Sequence, residues 1–219
     1  MPKRVVVCCD GTWSSLDHRK KDGALTNVSK LLLSIRPSDD AGTVQTAAYV
    51  PGVGTGRCDR LRGGAFGVGL SANVKAAYAL IVRHYEPGDE VWLFGFSRGA
   101  FTARSTAGLV RNSGILMPAH ADRVDEAYAI YRDRGKDAAP DAPAALAFRQ
   151  RHSYPQPDLR FVGVWDTVGS LGIPASRWNP LRLINRRWQF HDTTLSSWVR
   201  HARHAVAIDE TRAPFVPTM

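Results

Sequence analysis

An apolar run that ends in the pattern Gly-x-Ser-x-Gly constrains the fold of this chain more than any other feature. Residues 90–94 read as a strand and lead into GFSRG at 95–99, after which a helix-compatible segment follows. Side chains at Gly95 and Gly99 would crowd a sharp strand-to-helix turn, and glycine tolerates the backbone angles of such turns. The pattern predicts a nucleophile elbow that holds Ser97 above a sheet edge as a nucleophile. The alternative is a structural serine in a turn.

Apolar strand-like segments alternate with helix-compatible segments along the chain. The predicted strands are 4–9, 43–50, 90–94 and 159–165, and the predicted helices are 27–34, about 71 to 86, 98–112, 121–133 and 144–151. This alternation predicts an α/β fold, with a mostly parallel sheet covered by helices on both faces. The sheet looks incomplete at the C-terminus.

Two further segments carry weaker signals. Residues 57–69 are rich in glycine and are predicted to hold little regular structure. Residues 193–210 are predicted to be helical, with a short strand at 204–208 as the alternative.

The length of 219 residues predicts one domain, 1–219, in which about 115–158 forms a helical insertion or cap. No apolar stretch approaches the roughly 20 residues that span a bilayer. The basic N-terminus precedes an apolar run that is too short for a signal peptide, so this run is predicted to be the first strand. We therefore predict that the chain is cytoplasmic when synthesised. Export by a specialised route without a cleaved signal stays open.

The net charge of +9 could attract anionic lipid or nucleic acid. Zinc-finger and aromatic RNA-binding patterns are missing, so no nucleic-acid partner is expected. Peripheral membrane contact stays open, and the alternative is that the basic residues form a solvated surface. The three cysteines, Cys8, Cys9 and Cys58, have no metal-ligand spacing and are predicted to pack in the core, with Cys8 and Cys9 on opposite faces of a strand. Neither a metal nor a cofactor is predicted.

A serine nucleophile needs a base, usually a histidine, that a carboxylate orients. Asp166 follows the apolar segment 161–165, which places it at a strand tip as Ser97 is placed. Its alternative role is to cap a turn. His204 is the best candidate for the base, with a structural role as the alternative; two other histidines follow Asp166, His191 and His201.

Two backbone N–H groups would complete an oxyanion hole. One is predicted to come from Arg98, directly after the nucleophile, and the other from Gly11 or Thr12 in the loop after the first strand. The alternative is that this loop is only a tight turn. The same loop does not predict a dehalogenase-like phosphatase. That class needs Asp-x-Asp, and Cys8 occupies the position of the first aspartate. A P-loop at 52–56 fails because no Gly-Lys-Ser/Thr follows.

Five sequence blocks carry a resemblance to a known family: CDGTW at 9–13, PGVGTG at 51–56, FGFSRGAF at 94–101, GVWDTVG at 163–169 and HAVAIDE at 204–210. In this order they resemble a family of uncharacterised α/β-hydrolase domains. That family includes phospholipase effectors of bacterial type VI secretion and related fungal proteins. The resemblance implies a Ser/Asp/His hydrolase that cleaves ester bonds. For the effector branch it implies a phospholipase that attacks the membranes of rival cells and has a secretion-system partner.

In that family a His-Ser-Asp-Val-Gly-Gly-like block usually follows and is expected to carry the base. The chain has no such block, so the resemblance implies a member truncated at the C-terminus. The sequence therefore leaves two hypotheses for the function. The first is a lipase or phospholipase that acts on lipid or other esters with a Ser-Asp-His mechanism. The second is a non-catalytic hydrolase-fold module that binds a membrane or a protein.

Overall fold

The computed structural model describes residues 1–12, 14, 16, 25–53, 65–133, 135, 139–167 and 196–209. These residues form seven strands: β1 (Arg4–Cys9), β2 (Gln45–Val50), β3 (Glu90–Phe96), β4 (Ile115–Leu116), β5 (Ser153–Tyr154), β6 (Asp158–Trp165) and β7 (Val199–Ala205). They also form five α-helices: α1 (Asn27–Ser34), α2 (Ala65–His84), α3 (Arg98–Ser113), α4 (Val124–Arg132) and α5 (Pro143–His152). A 3-10 helix, Pro118–Arg123, precedes α4.

Five strands make one sheet in the order β2-β1-β3-β6-β7, and each pairing in it is parallel. The chain first builds outward from β1 to β2 and then crosses back to β3 on the other side of β1. The strand order therefore reverses between β1 and β3, and the crevice at their carboxyl ends is the switch point where open α/β sheets bind ligands.

Helices cover both faces of this sheet because its strands are apolar on both sides. On one face, Val6 and Cys8 of β1 pack in a small core with Val28 of α1. On the other face, Val7 and Cys9 join the larger core beneath α2 and α3. The α/β class with a mostly parallel sheet is confirmed, and so is the prediction that the adjacent cysteines are buried on opposite faces. Cys58 lies outside the described residues.

Several predicted elements match the structure closely, and two predictions are wrong. The strand at 4–9 and the helix at 27–34 are confirmed, and Gly114 ends α3 with a positive φ of 74°, which favours glycine. The loop predicted at 57–69 is wrong in part, because α2 begins at Ala65. The prediction of a helix at 193–210 is wrong where the structure describes this segment, because residues 199–205 form β7. This strand pairs with β6, and the pairing satisfies backbone N–H and C=O groups of both strands.

The segment 115–158 holds α4, α5 and the two-stranded β4–β5 pair. Its contacts reach the end of α3 that lies far from Ser97: Ser113 Oγ donates to the Ala127 carbonyl, and Ser153 Oγ donates to the Ser113 carbonyl. Lys75 of α2 forms an ion pair with Asp125 of α4. These contacts place the segment against the α2–α3 layer, and its role as a cap over the site stays a prediction.

Candidate active site

Ser97 lies between β3 and α3 in a strained backbone conformation, with φ 55° and ψ −119°. Its backbone N–H donates to the Trp165 carbonyl at 2.9 Å, which ties the turn to the end of β6. Ser97 is the N-cap residue of α3, yet its side chain makes no capping hydrogen bond. An N-cap hydroxyl usually accepts a hydrogen bond from an amide of its own helix. The hydroxyl of this half-buried serine does not.

The two elbow glycines are required by close packing. A Cβ at Gly95 would overlap the carbonyl oxygen of Gly99, and a Cβ at Gly99 would overlap the carbonyl oxygen of Cys9 in β1. Neither glycine has a left-handed φ. Steric crowding therefore requires glycine at both positions, as the sequence predicted. The backbone angles do not require it, because neither φ is positive. Without side chains at these positions, α3 starts directly above the ends of β1 and β3.

Asp166 ends β6 next to this elbow and also has a positive φ, 41°. Its backbone N–H donates to the Ala205 carbonyl at 2.9 Å, and its Oδ1 accepts from the Ala207 N–H. Among the described residues, three non-glycine residues have positive φ, and Ser97 and Asp166 are two of them. Such conformations concentrate at functional sites. The structure thus brings these two side chains to the tips of neighbouring strands.

His204 lies in β7 opposite Val164 of β6 and is half-buried. Its Nε2 accepts a hydrogen bond from the Thr167 N–H at 3.1 Å, so the ring rests on the turn that carries Asp166. Burial lowers the pKa of His204; the Arg104 charge lowers it further, and the Asp166 charge opposes this. The structure brings His204 to Asp166, but its Nε2 is engaged by Thr167. His201 is exposed on the same strand, and His191 lies outside the described residues.

The loop after β1 lies beside the start of α3. The Thr12 hydroxyl contacts Nε of Arg98, the first residue of α3, and burial lowers the pKa of Arg98 to about 10. The Gly11 N–H donates to Asp10 Oδ1 at 2.7 Å. The Gly11 N–H therefore already has one acceptor. The oxyanion roles of Gly11, Thr12 and Arg98 stay predictions.

Asp10 also lies beside the candidate site, although the sequence pattern predicted only a turn there. Asp10 is 2 % exposed at the carboxyl end of β1, on the β1–β3 switch point. A signal was present, because a carboxylate that directly follows five buried strand residues lies where α/β sheets gather their ligand sites. Its partners could not be read from the sequence, since they are spread over residues 11–49.

In the described part of the chain, no group of three or more His, Cys, Asp or Glu side chains is arranged to hold a metal ion. A search of the same residues finds no helix with the length and apolar character needed to cross a membrane.

A serine at a strand-to-helix elbow, with an aspartate at the tip of the next strand, is the arrangement typical of α/β-hydrolases. Residues 3–219 match the family described as "T6SS, Phospholipase effector Tle1-like, catalytic domain", and the chain belongs to this family. It is also similar to the uncharacterized protein YEL023C of Saccharomyces cerevisiae, with 29% identity over 234 residues that cover 97% of this chain and 32% of the yeast protein. The chain thus spans about a third of that relative. No solved structure matches it.

Proposed function

We propose that the chain is a serine ester hydrolase of the lipase or phospholipase class, with Ser97 as its nucleophile. One observation carries the proposal: Ser97 and Asp166 both have left-handed φ at the carboxyl ends of adjacent parallel strands. The hydrogen bond from Ser97 N–H to the Trp165 carbonyl holds their two turns together. Strained residues at a switch point are expected where a site is preorganised for chemistry.

In the proposed reaction, Ser97 Oγ attacks the ester carbonyl while a histidine takes its proton. The imidazolium then gives this proton to the leaving alkoxide, so that the alcohol departs and the acyl-enzyme remains. Water then hydrolyses the acyl group by the same route. The backbone N–H groups of Arg98 and Thr12 would stabilise the oxyanion, and Asp166 would orient the imidazole. For His204 to act as the base, its Nε2 must exchange the Thr167 amide for the Ser97 hydroxyl, with Nδ1 facing Asp166.

Family membership supports a phospholipid ester as the substrate. It also supports a wider setting: contact with a lipid surface, a secretion-system partner, and delivery from the cytoplasm by that system. We also propose that residues 1–219 act as one domain in which 115–158 is an insertion. The net charge of +9 favours contact with anionic lipid.

Turnover of p-nitrophenyl butyrate and of phosphatidylcholine vesicles tests the proposal. Ser97→Ala should lower turnover on the order of 10⁶-fold, because the nucleophile is lost. Ser105→Ala is the matched control, since Ser105 is a buried serine of the same helix, and it should keep its activity. Turnover that survives in Ser97→Ala would overturn the assignment.

A second function is favoured by one contact. His204 Nε2 accepts from the Thr167 N–H, which supports a role for the imidazole as a structural brace of the Asp166 turn instead of a base for Ser97. In that case the chain is a hydrolase-fold module that binds a membrane or a protein without turnover of its own. Co-sedimentation of the chain with anionic vesicles, together with no serine-dependent ester cleavage, would favour this second function.

A further inference from the structure

The Asp10 carboxylate is a buried junction of several elements. Its Oδ1 accepts from the Gly11 N–H at 2.7 Å. Its Oδ2 accepts from three hydroxyls, those of Thr26 at 2.9 Å, Ser29 at 2.8 Å and Tyr49 at 2.7 Å. Thr26 is the N-cap of α1, Ser29 lies in its first turn, and Tyr49 lies in β2. One side chain therefore joins the end of β1 to the start of α1 and to the neighbouring strand.

This junction fixes the turn 10–12 against the elbow. A Cβ at Gly52 would overlap the Gly11 carbonyl on one side of the turn, and a Cβ at Gly99 would overlap the Cys9 carbonyl on the other. The turn is packed between the end of β2 and the start of α3. From it the Thr12 hydroxyl reaches Arg98, the residue after Ser97. A displacement of this turn is therefore a displacement of the backbone next to the nucleophile.

We infer that Asp10 is a positioning residue for the oxyanion hole: through the Gly11 N–H and its three hydroxyl partners, it sets where the Thr12 amide lies relative to Ser97. The inference rests on the proposed serine hydrolase function. Asp10 faces its hydroxyl donors and is 2 % exposed, so it is placed to act through the turn and not by direct contact. A misplacement of about 1 Å in a catalytic group can cost about 10²-fold in rate, so an ordering contact behind the site has a kinetic effect.

Two substitutions probe the junction at different strengths. Asp10→Asn keeps the size of the side chain but replaces one acceptor oxygen by an NH₂ donor, which conflicts either with the Gly11 N–H or with the hydroxyls. Tyr49→Phe removes one donor to Oδ2 and leaves those of Thr26 and Ser29. Burial and the Asp10 charge raise the pKa of Tyr49, so its hydroxyl stays a donor at neutral pH.

Asp89 offers a matched control at the opposite edge of the sheet. It is also 2 % exposed, accepts from the backbone N–H groups of Lys3 and Glu86 at 2.8 Å each, and forms an ion pair with Lys3 Nζ at 2.7 Å. Asp89→Asn perturbs a buried, hydrogen-bonded carboxylate to a similar degree, but far from Ser97. It separates the cost of disturbing a buried carboxylate from an effect on the site.

The experiment measures kcat and KM for p-nitrophenyl butyrate and the Ki of an alkyl trifluoromethyl ketone, which mimics the oxyanion. Asp10→Asn should lower kcat by about 10²-fold with KM little changed, in the range for loss of one oxyanion donor. The Ki should rise by a similar factor. Tyr49→Phe should move both quantities in the same direction by less, and Asp89→Asn should leave both unchanged.

If kcat and Ki in Asp10→Asn and Tyr49→Phe equal those of Asp89→Asn while turnover still depends on Ser97, the Asp10 inference is overturned and the proposed function stands. If wild-type turnover does not depend on Ser97, the proposed function fails and the inference falls with it. If Asp10→Asn does not fold, the inference is tested by comparing kcat and Ki of Tyr49→Phe with those of Asp89→Asn.

Discussion

At the scale of single residues, Asp166 shows how backbone and side chain are fixed together. Three hydrogen bonds link its turn to the end of β7: Asp166 N–H to the Ala205 carbonyl, Thr167 N–H to His204 Nε2, and Ala207 N–H to Asp166 Oδ1. Its φ of 41° is one that Asp and Asn adopt more readily than other side chains. Asparagine can therefore replace it without new strain, while alanine cannot.

Asp166→Asn should remove the charge and keep the turn. We expect kcat for an ester to fall by about 10⁴-fold, because the imidazole loses the carboxylate that orients it and stabilises its charged form. The urea midpoint should stay near that of the wild type, since Asn Oδ1 still accepts from Ala207. Asp166→Ala should lose about 1 kcal/mol or more of stability in addition, because of its left-handed backbone. An Asn variant with full activity would place the acid elsewhere.

His204 should make stability depend on pH. Because its folded-state pKa lies below the usual 6.5, the folded protein binds fewer protons than the unfolded chain between the two pKa values. Its contribution to stability is complete above about pH 6.5 and is lost as the pH falls through the folded pKa. A protonated Nε2 also cannot accept from the Thr167 N–H.

His204→Gln keeps an acceptor but does not titrate. Between about pH 7.5 and about pH 5.5, the urea midpoint of the wild type should fall more than that of the variant. The variant should keep some slope, since the pKa of His152 is also lowered by burial. Equal slopes in the two proteins would show that His204 does not titrate with a lowered pKa.

Local pattern was sufficient to predict the positions of Ser97 and Asp166, because each directly follows an apolar strand. The engagement of the Gly11 amide could not be predicted in this way. It depends on Asp10, whose other partners, Thr26, Ser29 and Tyr49, are 16, 19 and 39 residues away. Hydrogen bonds between elements depend on the packed fold, and no spacing in the sequence encodes them.

At the scale of elements, side chains of the segment 115–158 supply hydrogen-bond donors to the last carbonyls of α3. Arg149 Nη1 of α5 donates to the carbonyls of Arg111 and Asn112 at 2.9 Å and of Pro140 at 2.6 Å. Its guanidinium also lies 5.4 Å from the centre of the Trp198 ring. The last carbonyls of a helix have no partner within it. Arg149 supplies donors to two of these carbonyls in α3, and Ser153 Oγ donates to a third, that of Ser113.

Arg149→Met should lower the free energy of unfolding by about 1.5–3 kcal/mol, the range for hydrogen bonds to a charged group, without changing ester turnover. Arg151→Met is the matched control, because Arg151 is exposed on the same helix and should change stability little. Urea unfolding of both variants measures the difference. Equal stabilities would mean that the Arg149 contacts contribute nothing to α3.

The elements differed in how far sequence could predict them. The bounds of helix α1 could be predicted because its apolar face is a local signal, and the structure adds Thr26 as its N-cap. The strand β7 was mistaken for a helix because its residues carry no clear period of two, and its conformation is imposed by pairing with β6. The start of α2 was placed too late because glycines near residue 65 lower helix propensity, which tertiary packing overrides.

At the scale of the whole molecule, the site follows from the order of the strands. The reversal between β1 and β3 brings the Asp10 turn and the Ser97 elbow to one crevice, and β6 adds Asp166 beside them. The alternation of strands and helices predicted the α/β class, but strand order is a property of the assembled sheet. The two cores on opposite faces of β1 fix the elbow from both sides.

Covalent labelling by a fluorophosphonate would report whether Ser97 is an activated nucleophile. The folded chain and its Ser97→Ala variant are treated side by side, followed by intact mass and peptide mapping. We expect one adduct per wild-type chain, mapped to Ser97, and none on the variant. A folded wild-type chain that takes no label, or a label that persists in Ser97→Ala, would contradict the account.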